Sequence, residues 1–228
     1  MKWRPTDWPV AREALPFALP SGLLTMASLA AGWYGLAVLL AALFLYTLVF
    51  FRNPTRKTVA DADAILCPAD GVVVACGPTG DQAGLSAPSL RIAVFMSLFD
   101  VHINWSPCAG RVVSAEHVPG RFLNAMDDKS SAENERKVLL IERPDGRRLV
   151  VRLVAGLVAR RIVCPLEPGD TVAAGEKIGL IRFGSRVEVI LPADATLRVA
   201  KGDRVRGGET VLATLPSVAA QSGEATIT

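Results

Sequence analysis

A long stretch without charged residues near the N-terminus constrains the fold of this chain more than any other feature. No Asp, Glu, Lys or Arg occurs between Glu13 and Arg52. A bilayer crossing takes about 20 apolar residues, so residues 14–51 suffice for two short passes, or for one pass and an interfacial helix. Basic residues flank the stretch on both sides, which favours a helical hairpin with both ends in the cytoplasm. We therefore expect N-terminal apolar membrane helices at the inner membrane, with the rest of the chain on the cytoplasmic side.

The remainder of the chain has the pattern of a β-rich domain. Short apolar runs bounded by Gly, Pro and Asp are typical of strands. These runs are Gly71–Ala75, Arg91–Leu98, Gly110–Ala115, Val138–Glu142 and Leu149–Leu157. We expect a mainly β (β-rich α+β) fold, divided into an anchor and linker at 1–57, a catalytic domain at 58–215 and a flexible tail at 216–228.

A short pattern occurs twice within this domain. The sequence Gly-Asp-x-Val-x-x-Gly-Glu is found at residues 169–176 and again at residues 202–209. An apolar run follows each copy, and two copies are too few for a solenoid. Such units resemble the turns of lipoyl- and biotinyl-type folds, so we expect a barrel–sandwich-like catalytic domain with hairpin repeats.

Gly184 and Ser185 stand where a strand should already be running. Glycine leaves its carbonyl unshielded and adopts backbone angles that other residues avoid. The serine hydroxyl can attack that carbonyl if a neighbouring base takes its proton, which would replace the amide with an ester. The alternative interpretation is a glycine bulge that opens an ordinary strand.

The candidate bases and carboxylates are few. His102 and His117 are the two histidines of the chain, and His102 directly follows a predicted strand, where a histidine can be structural or catalytic. Asp70 lies in a Pro-Ala-Asp-Gly segment, where an aspartate is typical of a turn. As the carboxylate that orients an imidazole, Asp70 would complete a Ser–His–Asp arrangement.

Charge and cysteine usage argue against two other classes of protein. The net charge of +3 is modest, and no basic run of the kind that binds nucleic acid is present. The 4 cysteines show no Cys-x-x-Cys spacing, so neither a metal site nor a redox pair is indicated. We expect them to be small buried thiols in a reducing compartment.

Taken together, the segments of this chain resemble the phosphatidylserine decarboxylase family in its short, membrane-anchored form. The resemblance covers nearly the whole chain. It rests on motifs in this order: the apolar N-terminus, Arg52-Asn53-Pro54, Pro68-Ala69-Asp70-Gly71, Asp100-Val101-His102, Pro119-Gly120-Arg121-Phe122-Leu123-Asn124 and Phe183-Gly184-Ser185-Arg186.

The resemblance implies a proenzyme that cuts itself between Gly184 and Ser185. Residues 185–228 would then begin with a pyruvoyl group made from Ser185 and stay bound to residues 1–184 as a heterodimer, with a higher homo-oligomer left open. Neither a metal nor pyridoxal phosphate would be needed, because the pyruvoyl carbonyl serves as the electron sink. The implied substrate is phosphatidylserine in the membrane, converted into phosphatidylethanolamine and carbon dioxide.

Residue roles follow from the same resemblance. The residues assigned to self-cleavage are Gly184, Ser185, His102 and Asp70. Longer bacterial members carry a second histidine where this chain has Trp105, so His102 serves both self-cleavage and proton donation, or His117 takes one of these steps. Arg186 or Arg121 would hold the phosphate or carboxylate of the substrate, and His117 is a further candidate for substrate binding. The alternative for each arginine is a solvated surface position.

Two other functions stay open on the residues alone. A membrane-anchored barrel–sandwich adaptor or carrier would explain the repeat and the apolar stretch, but not the Gly184-Ser185 pair. A membrane serine hydrolase would use Ser185 on a separate substrate and keep the chain in one piece. Chain integrity therefore separates the hydrolase from the decarboxylase.

Overall fold

The chain is divided into a helical unit that ends at Thr55 and a β-rich unit that begins at Arg56. The computed structural model describes residues 8–59, 61–80, 85, 88–157, 161–182 and 184–216. The predicted tail at 216–228 therefore lies, apart from Pro216, outside the described residues. The predicted boundary after residue 57 lies close to the division between the two units.

The helical unit is a hairpin of two apolar helices, α1 at Leu15–Ala30 and α2 at Tyr34–Phe50. A turn with Gly32 at a φ of +75° divides the uncharged stretch into helices of 16 and 17 residues. In the part of the chain that the structure describes, no helix combines the length and the apolar character that a membrane crossing requires. The predicted membrane-crossing helices are therefore not supported, although the stretch does form a helical hairpin.

The two ends of this hairpin are held together by the backbone. Asn53 donates its side-chain amide to the Trp8 carbonyl at 2.8 Å and its backbone N–H to the Pro9 carbonyl at 2.7 Å. The Ala11 N–H donates to the Phe51 carbonyl at 2.8 Å. Asn53 of the Arg-Asn-Pro motif thus joins the two ends of the helical unit. The β-rich unit begins three residues later in the sequence, at Arg56.

The β-rich unit contains the strands and one short helix, α3 at Ser130–Glu133. The strands are β1 Ala64–Leu66, β2 Gly71–Thr79, β3 Ser89–Met96, β4 Ile103–Trp105, β5 Gly110–Val118, β6 Arg136–Glu142, β7 Arg148–Val154, β8 Ile162–Val163, β9 Thr171–Val172, β10 Lys177–Ile181, β11 Ser185–Pro192, β12 Thr196–Leu197, β13 Arg204–Val205 and β14 Val211–Thr214. Among the described residues they form one eight-stranded sheet and two three-stranded sheets, so the predicted β-rich class with helices is confirmed.

Strand β11 lies in the middle of the eight-stranded sheet, whose order is β13-β2-β3-β11-β7-β6-β5-β9. It pairs with β3 on one side and β7 on the other, both antiparallel. Successive side chains of a strand point to opposite faces. Val187 and Val189 pack into the main apolar core, whereas Arg186 and Glu188 face the other side, and all four side chains are buried. This strand is therefore enclosed on both faces.

The repeated sequence pattern forms a repeated structure. The first glycines, Gly169 and Gly202, have φ values of 96° and 100°, and the second glycines, Gly175 and Gly208, have φ values of 70° and 74°. These angles lie in the left-handed region that glycine adopts without a steric penalty. The two aspartates also make equivalent hydrogen bonds. Asp170 accepts one from the Glu167 N–H at 3.0 Å, and Asp203 accepts one from the Ala200 N–H at 2.8 Å.

The duplication extends beyond the pattern itself. The Leu66 N–H donates to the Pro107 carbonyl at 2.8 Å, and the Trp105 N–H donates to the Pro68 carbonyl at 2.9 Å. Residues 66–71 and 105–110 are thus reciprocal partners, and each segment leads into a long strand, β2 or β5. The β-rich unit is built from two similar halves that exchange these contacts.

The burial of two cysteine thiols gives a test of the fold. Desolvation raises the pKa of Cys67 and of Cys108 to about 12. Only the thiolate reacts with alkylating agents, so at pH 8 very few molecules carry a reactive group at either position. We expect iodoacetamide to leave both unmodified in the folded chain and to modify both in denaturant, as measured by peptide mass mapping. Rapid alkylation of either thiol in the folded chain would contradict this packing.

Candidate active site

The Gly184-Ser185 pair lies at the start of the central strand. Gly184 precedes β11 with a φ of +69°, a backbone angle that disfavours other residues. Ser185 is fully buried, and its hydroxyl donates to the Met96 sulfur on β3 at 3.3 Å. A left-handed glycine followed by an enclosed hydroxyl is the arrangement that an attack of Ser185 on the Gly184 carbonyl would need.

His102 is the histidine that reaches this pair. It lies between β3 and β4, it is buried, and its Nε2 accepts a hydrogen bond from the Gly184 N–H at 3.2 Å. Its Nδ1 lies 3.0 Å from the Asp100 carbonyl oxygen. A backbone N–H can only donate and a carbonyl can only accept, so Nδ1 carries the hydrogen and Nε2 presents its lone pair. The imidazole thus offers a base next to the residue whose carbonyl would be attacked.

Asp100 holds the loop that carries His102. Its carboxylate accepts hydrogen bonds from the Ser97 backbone N–H at 2.8 Å and from the Ser97 hydroxyl at 2.6 Å. Its other oxygen accepts from the Arg204 guanidinium at 2.6 Å. Because Asp100 fixes both the turn and the carbonyl that binds Nδ1, it determines how the imidazole is oriented.

Asp70 lies at the turn before β2. Its carboxylate accepts hydrogen bonds from the Arg56 guanidinium at 2.7 Å and from the Gly207 N–H at 2.8 Å. Burial raises the pKa of Asp70 and the negative charge of Asp100 adds to the rise, while the hydrogen bond from Gly207 and the charge of Arg56 oppose it. These contacts do not test whether Asp70 is the carboxylate that orients the imidazole, so that role stays a prediction.

The duplication of the fold bears on the alternative that Asp70 is an ordinary turn residue. When residues 66–71 are matched with 105–110, Ala109 is the equivalent of Asp70. The second half makes its turn and enters β5 with this alanine. The turn itself therefore does not require a carboxylate, and the role of Asp70 stays a prediction.

His117 and Arg121 lie on exposed parts of the β-rich unit. His117 is half exposed on β5, with its Nε2 3.8 Å from a Glu135 carboxylate oxygen. Arg121 is 74% exposed and forms an ion pair with Glu133 at 3.2 Å. Within the described ranges, these contacts do not involve Gly184 or Ser185, and the predicted substrate-binding roles of His117 and Arg121 stay predictions.

Arg186 is fully buried, so the alternative of a solvated surface arginine is wrong for it. Its Nε lies 2.9 Å from a carboxylate oxygen of Glu188, which is also fully buried, and its Nη2 lies 3.0 Å from Asp128. Glu188 further accepts a hydrogen bond from the Ser131 hydroxyl at 2.5 Å and lies 3.7 Å from Arg152. This buried ion cluster fixes the strand immediately after the candidate cleavage site.

Removing the negative charge at the centre of this cluster should destabilise the fold strongly. We expect Glu188→Gln to lower the free energy of unfolding by about 3–5 kcal/mol, because it removes the buried counter-charge of Arg186 and leaves this guanidinium only the exposed carboxylate of Asp128. Urea denaturation measures the change. Glu133→Gln is the control, since the exposed pair with Arg121 contributes about 1 kcal/mol or less. Equal losses for the two variants would contradict the stabilising role of Glu188.

Sequence reasoning missed several residues around the site. Glu188 stands among valines with the alternation of a half-exposed strand, a pattern that does not reveal a buried ion pair. In the sequence, Met96 has the features of an ordinary core residue. Asp100 belongs to a recognisable motif, but the motif does not reveal its contacts with Ser97 and Arg204. Gly156 carries no local signal, yet a Cβ placed on it would lie 2.2 Å from the Gly184 carbonyl oxygen.

Within the described ranges, no group of three His, Cys, Asp or Glu side chains lies close enough together to hold a metal ion.

Comparison with known proteins identifies the family. The family model of phosphatidylserine decarboxylase matches residues 43–213. The phosphatidylserine decarboxylase proenzyme of Geotalea uraniireducens (strain Rf4) is 43% identical over 213 residues, which cover 93% of this chain and 100% of the relative. The proenzyme of the same name from Erythrobacter litoralis (strain HTCC2594) is 46% identical over 220 residues, covering 91% of this chain and 88% of the relative. The chain belongs to the phosphatidylserine decarboxylase family.

Proposed function

We propose that this chain decarboxylates phosphatidylserine to phosphatidylethanolamine after cutting itself between Gly184 and Ser185. The observation that carries the proposal is the meeting of a left-handed glycine, a buried serine hydroxyl and the unprotonated Nε2 of His102 at the start of β11. Membership of the family supports the substrate, since the relatives are named phosphatidylserine decarboxylase proenzymes.

The first step is an acyl shift within the chain. The Ser185 Oγ adds to the Gly184 carbonyl carbon, His102 takes the hydroxyl proton, and that proton passes to the Ser185 nitrogen as the amide bond opens. For this proton transfer, His102 Nε2 gives up the hydrogen bond from the Gly184 N–H and accepts one from the Ser185 hydroxyl. An ester between Gly184 and the Ser185 side chain results.

The second step is elimination. A base removes the α-hydrogen of Ser185, the Gly184 carboxylate leaves, and a dehydroalanine forms at position 185. Addition of one water and loss of one ammonia convert it into a pyruvoyl group at the head of residues 185–228. The enclosed position of Ser185 against Met96 fits such a group, because a small carbonyl can replace the serine there without a charged amine being buried.

The pyruvoyl carbonyl supplies the electron sink for the departure of carbon dioxide, so the proposal requires neither a metal nor pyridoxal phosphate. His102 is the candidate proton donor to the substrate α-carbon, since it is the imidazole next to position 185. The buried pairing of Arg186 with Glu188 holds the new chain end in place.

The two fragments should stay together as a heterodimer. In the smaller fragment, β11 pairs with β3 and β7, and β14 pairs with β1, all of which belong to residues 1–184. The two similar halves of the β-rich unit also agree with the barrel–sandwich architecture that the repeated pattern favours. A cut at Gly184 therefore leaves the sheets paired across the fragments.

We place the protein at the inner membrane with its catalytic part on the cytoplasmic side. The helical hairpin exposes large apolar side chains on both helices, which are Leu19, Leu23, Leu24, Met26, Val38, Leu39 and Leu45. An exposed apolar surface of this extent marks contact with a membrane or a protein. A diacyl substrate favours the membrane.

Decarboxylation can be tested with phosphatidylserine vesicles and purified protein. We expect release of carbon dioxide that phenylhydrazine abolishes, because it traps the essential carbonyl, and that EDTA leaves unchanged. Activity that resists phenylhydrazine would remove the pyruvoyl mechanism. A single intact chain without decarboxylase activity would favour the adaptor, whereas fluorophosphonate labelling of Ser185 in such a chain would favour the serine hydrolase.

A further inference from the structure

The scissile carbonyl lies against a residue that has no side chain. A Cβ added to Gly156, two residues after the end of β7, would lie 2.2 Å from the Gly184 carbonyl oxygen and 3.2 Å from its carbon. It would also lie 3.2 Å from the Cβ of Ala125. The φ of Gly156 is not among the positive values, so its backbone angle does not demand glycine. The need for glycine comes from the approach of Gly184.

The backbone beside Gly156 is fixed and cannot withdraw. The Ala155 N–H donates to the Glu135 carbonyl at 2.9 Å, and the Ala155 carbonyl accepts from the Asn134 amide at 2.8 Å. Asn134 is fully buried and also binds both the N–H and the carbonyl of Leu123, at 2.8 and 2.9 Å. A side chain at position 156 would therefore push against Gly184 rather than move its own backbone.

We propose that Gly156 is a positioning residue for self-cleavage, because it admits the Gly184 carbonyl and aims it at the Ser185 hydroxyl. This inference rests on the proposed self-cleavage and adds a residue to it. The displacement that a methyl group would cause is large. Reaching the 3.4 Å of an ordinary contact takes 1.2 Å (3.4 − 2.2). A misplacement of about 1 Å can cost about 100-fold in rate.

The test is the rate at which newly made chains are cut. Wild type, Gly156→Ala and Gly110→Ala are expressed with membranes present, and intact and cut chains are followed over time by gel and intact mass. Gly110 is the matched control, since its added Cβ would lie 2.5 Å from the Glu142 carbonyl oxygen, elsewhere in the sheet. We expect Gly156→Ala to be cut at least about 100-fold more slowly, and Gly110→Ala to be cut as fast as wild type.

A measurement of folding distinguishes a misplaced Gly184 carbonyl from a loss of the fold. Both glycine variants are also made in a Ser185→Ala chain, where no cut occurs, and compared by thermal unfolding and by protection of Cys67 and Cys108 from alkylation. A folded but uncut Gly156→Ala supports the inference. Cutting of Gly156→Ala at the wild-type rate overturns it, and so does a failure of Gly156→Ala to fold while Gly110→Ala folds. An uncut wild type would instead overturn the proposed self-cleavage.

Discussion

Ser185→Ala is expected to remain a single full-length chain without decarboxylase activity. Alanine lacks the hydroxyl that attacks the Gly184 carbonyl, so neither the ester nor the pyruvoyl group can form. The methyl group fits the enclosed site, because the serine side chain is already buried against Met96. We expect the activity to fall by at least about 10⁴-fold, since the whole electron sink is lost and enzymes accelerate reactions by about 10⁶-fold or more.

The measurement combines a denaturing gel with carbon dioxide release from phosphatidylserine vesicles. Ser114→Ala is a suitable control, because Ser114 is exposed on β5 and should be replaceable without effect on cutting or activity. A cut and active Ser185→Ala protein would rule out Ser185 as the source of the cofactor.

His102→Gln should slow self-cleavage by about 10²- to 10⁴-fold, the usual contribution of a positioned general base. Glutamine can still accept the hydrogen bond from the Gly184 N–H with its side-chain oxygen, but it cannot take the serine proton. The variant therefore keeps a hydrogen-bond acceptor for the Gly184 N–H and loses the base. The fraction of cut chain is measured against time after synthesis.

His117→Gln is the matched control for this prediction. His117 is half exposed and pairs with Glu135, so its replacement should leave the rate of cutting unchanged. The opposite result, with His102→Gln cut normally and His117→Gln uncut, would transfer the role of the base to His117. A decarboxylation defect in His117→Gln chains that are fully cut would divide the two steps between the histidines.

The sequence was most informative where chemistry depends on neighbours in the chain. Gly184 and Ser185 are adjacent, and the pattern around the two pairs of glycines at 169–176 and 202–209 specifies turns that the structure contains, with matching left-handed angles. The β-rich class followed from the short runs bounded by turn residues. These features are local, so the spacing of residues along the sequence is enough to predict them.

Contacts between distant segments could not be predicted. Gly156 and Gly184 meet because two strands, β7 and β11, are neighbours in the sheet, and no period in the sequence encodes that approach. The buried Arg186 and Glu188 likewise find their partners, Asp128 and Ser131 respectively, in a segment more than fifty residues earlier. A solvated surface position was the alternative for Arg186, whereas both Arg186 and Glu188 are fully buried.

The uncharged stretch shows how composition alone overstates a structure. Residues 14–51 satisfy the count of apolar residues for a membrane crossing, but the turn at Gly32 divides them into two shorter helices. The composition predicts an apolar surface on these residues, whereas the turn at Gly32 determines how long each helix is.

Intact mass spectrometry of the purified protein tests the central claim most directly. Self-cleavage predicts two masses: residues 1–184 ending in a free carboxylate, and residues 185–228 without a free α-amine and lighter, by one ammonia, than the same fragment with an N-terminal serine. A single unmodified chain from protein that protects Cys67 and Cys108 from alkylation would contradict the pyruvoyl mechanism.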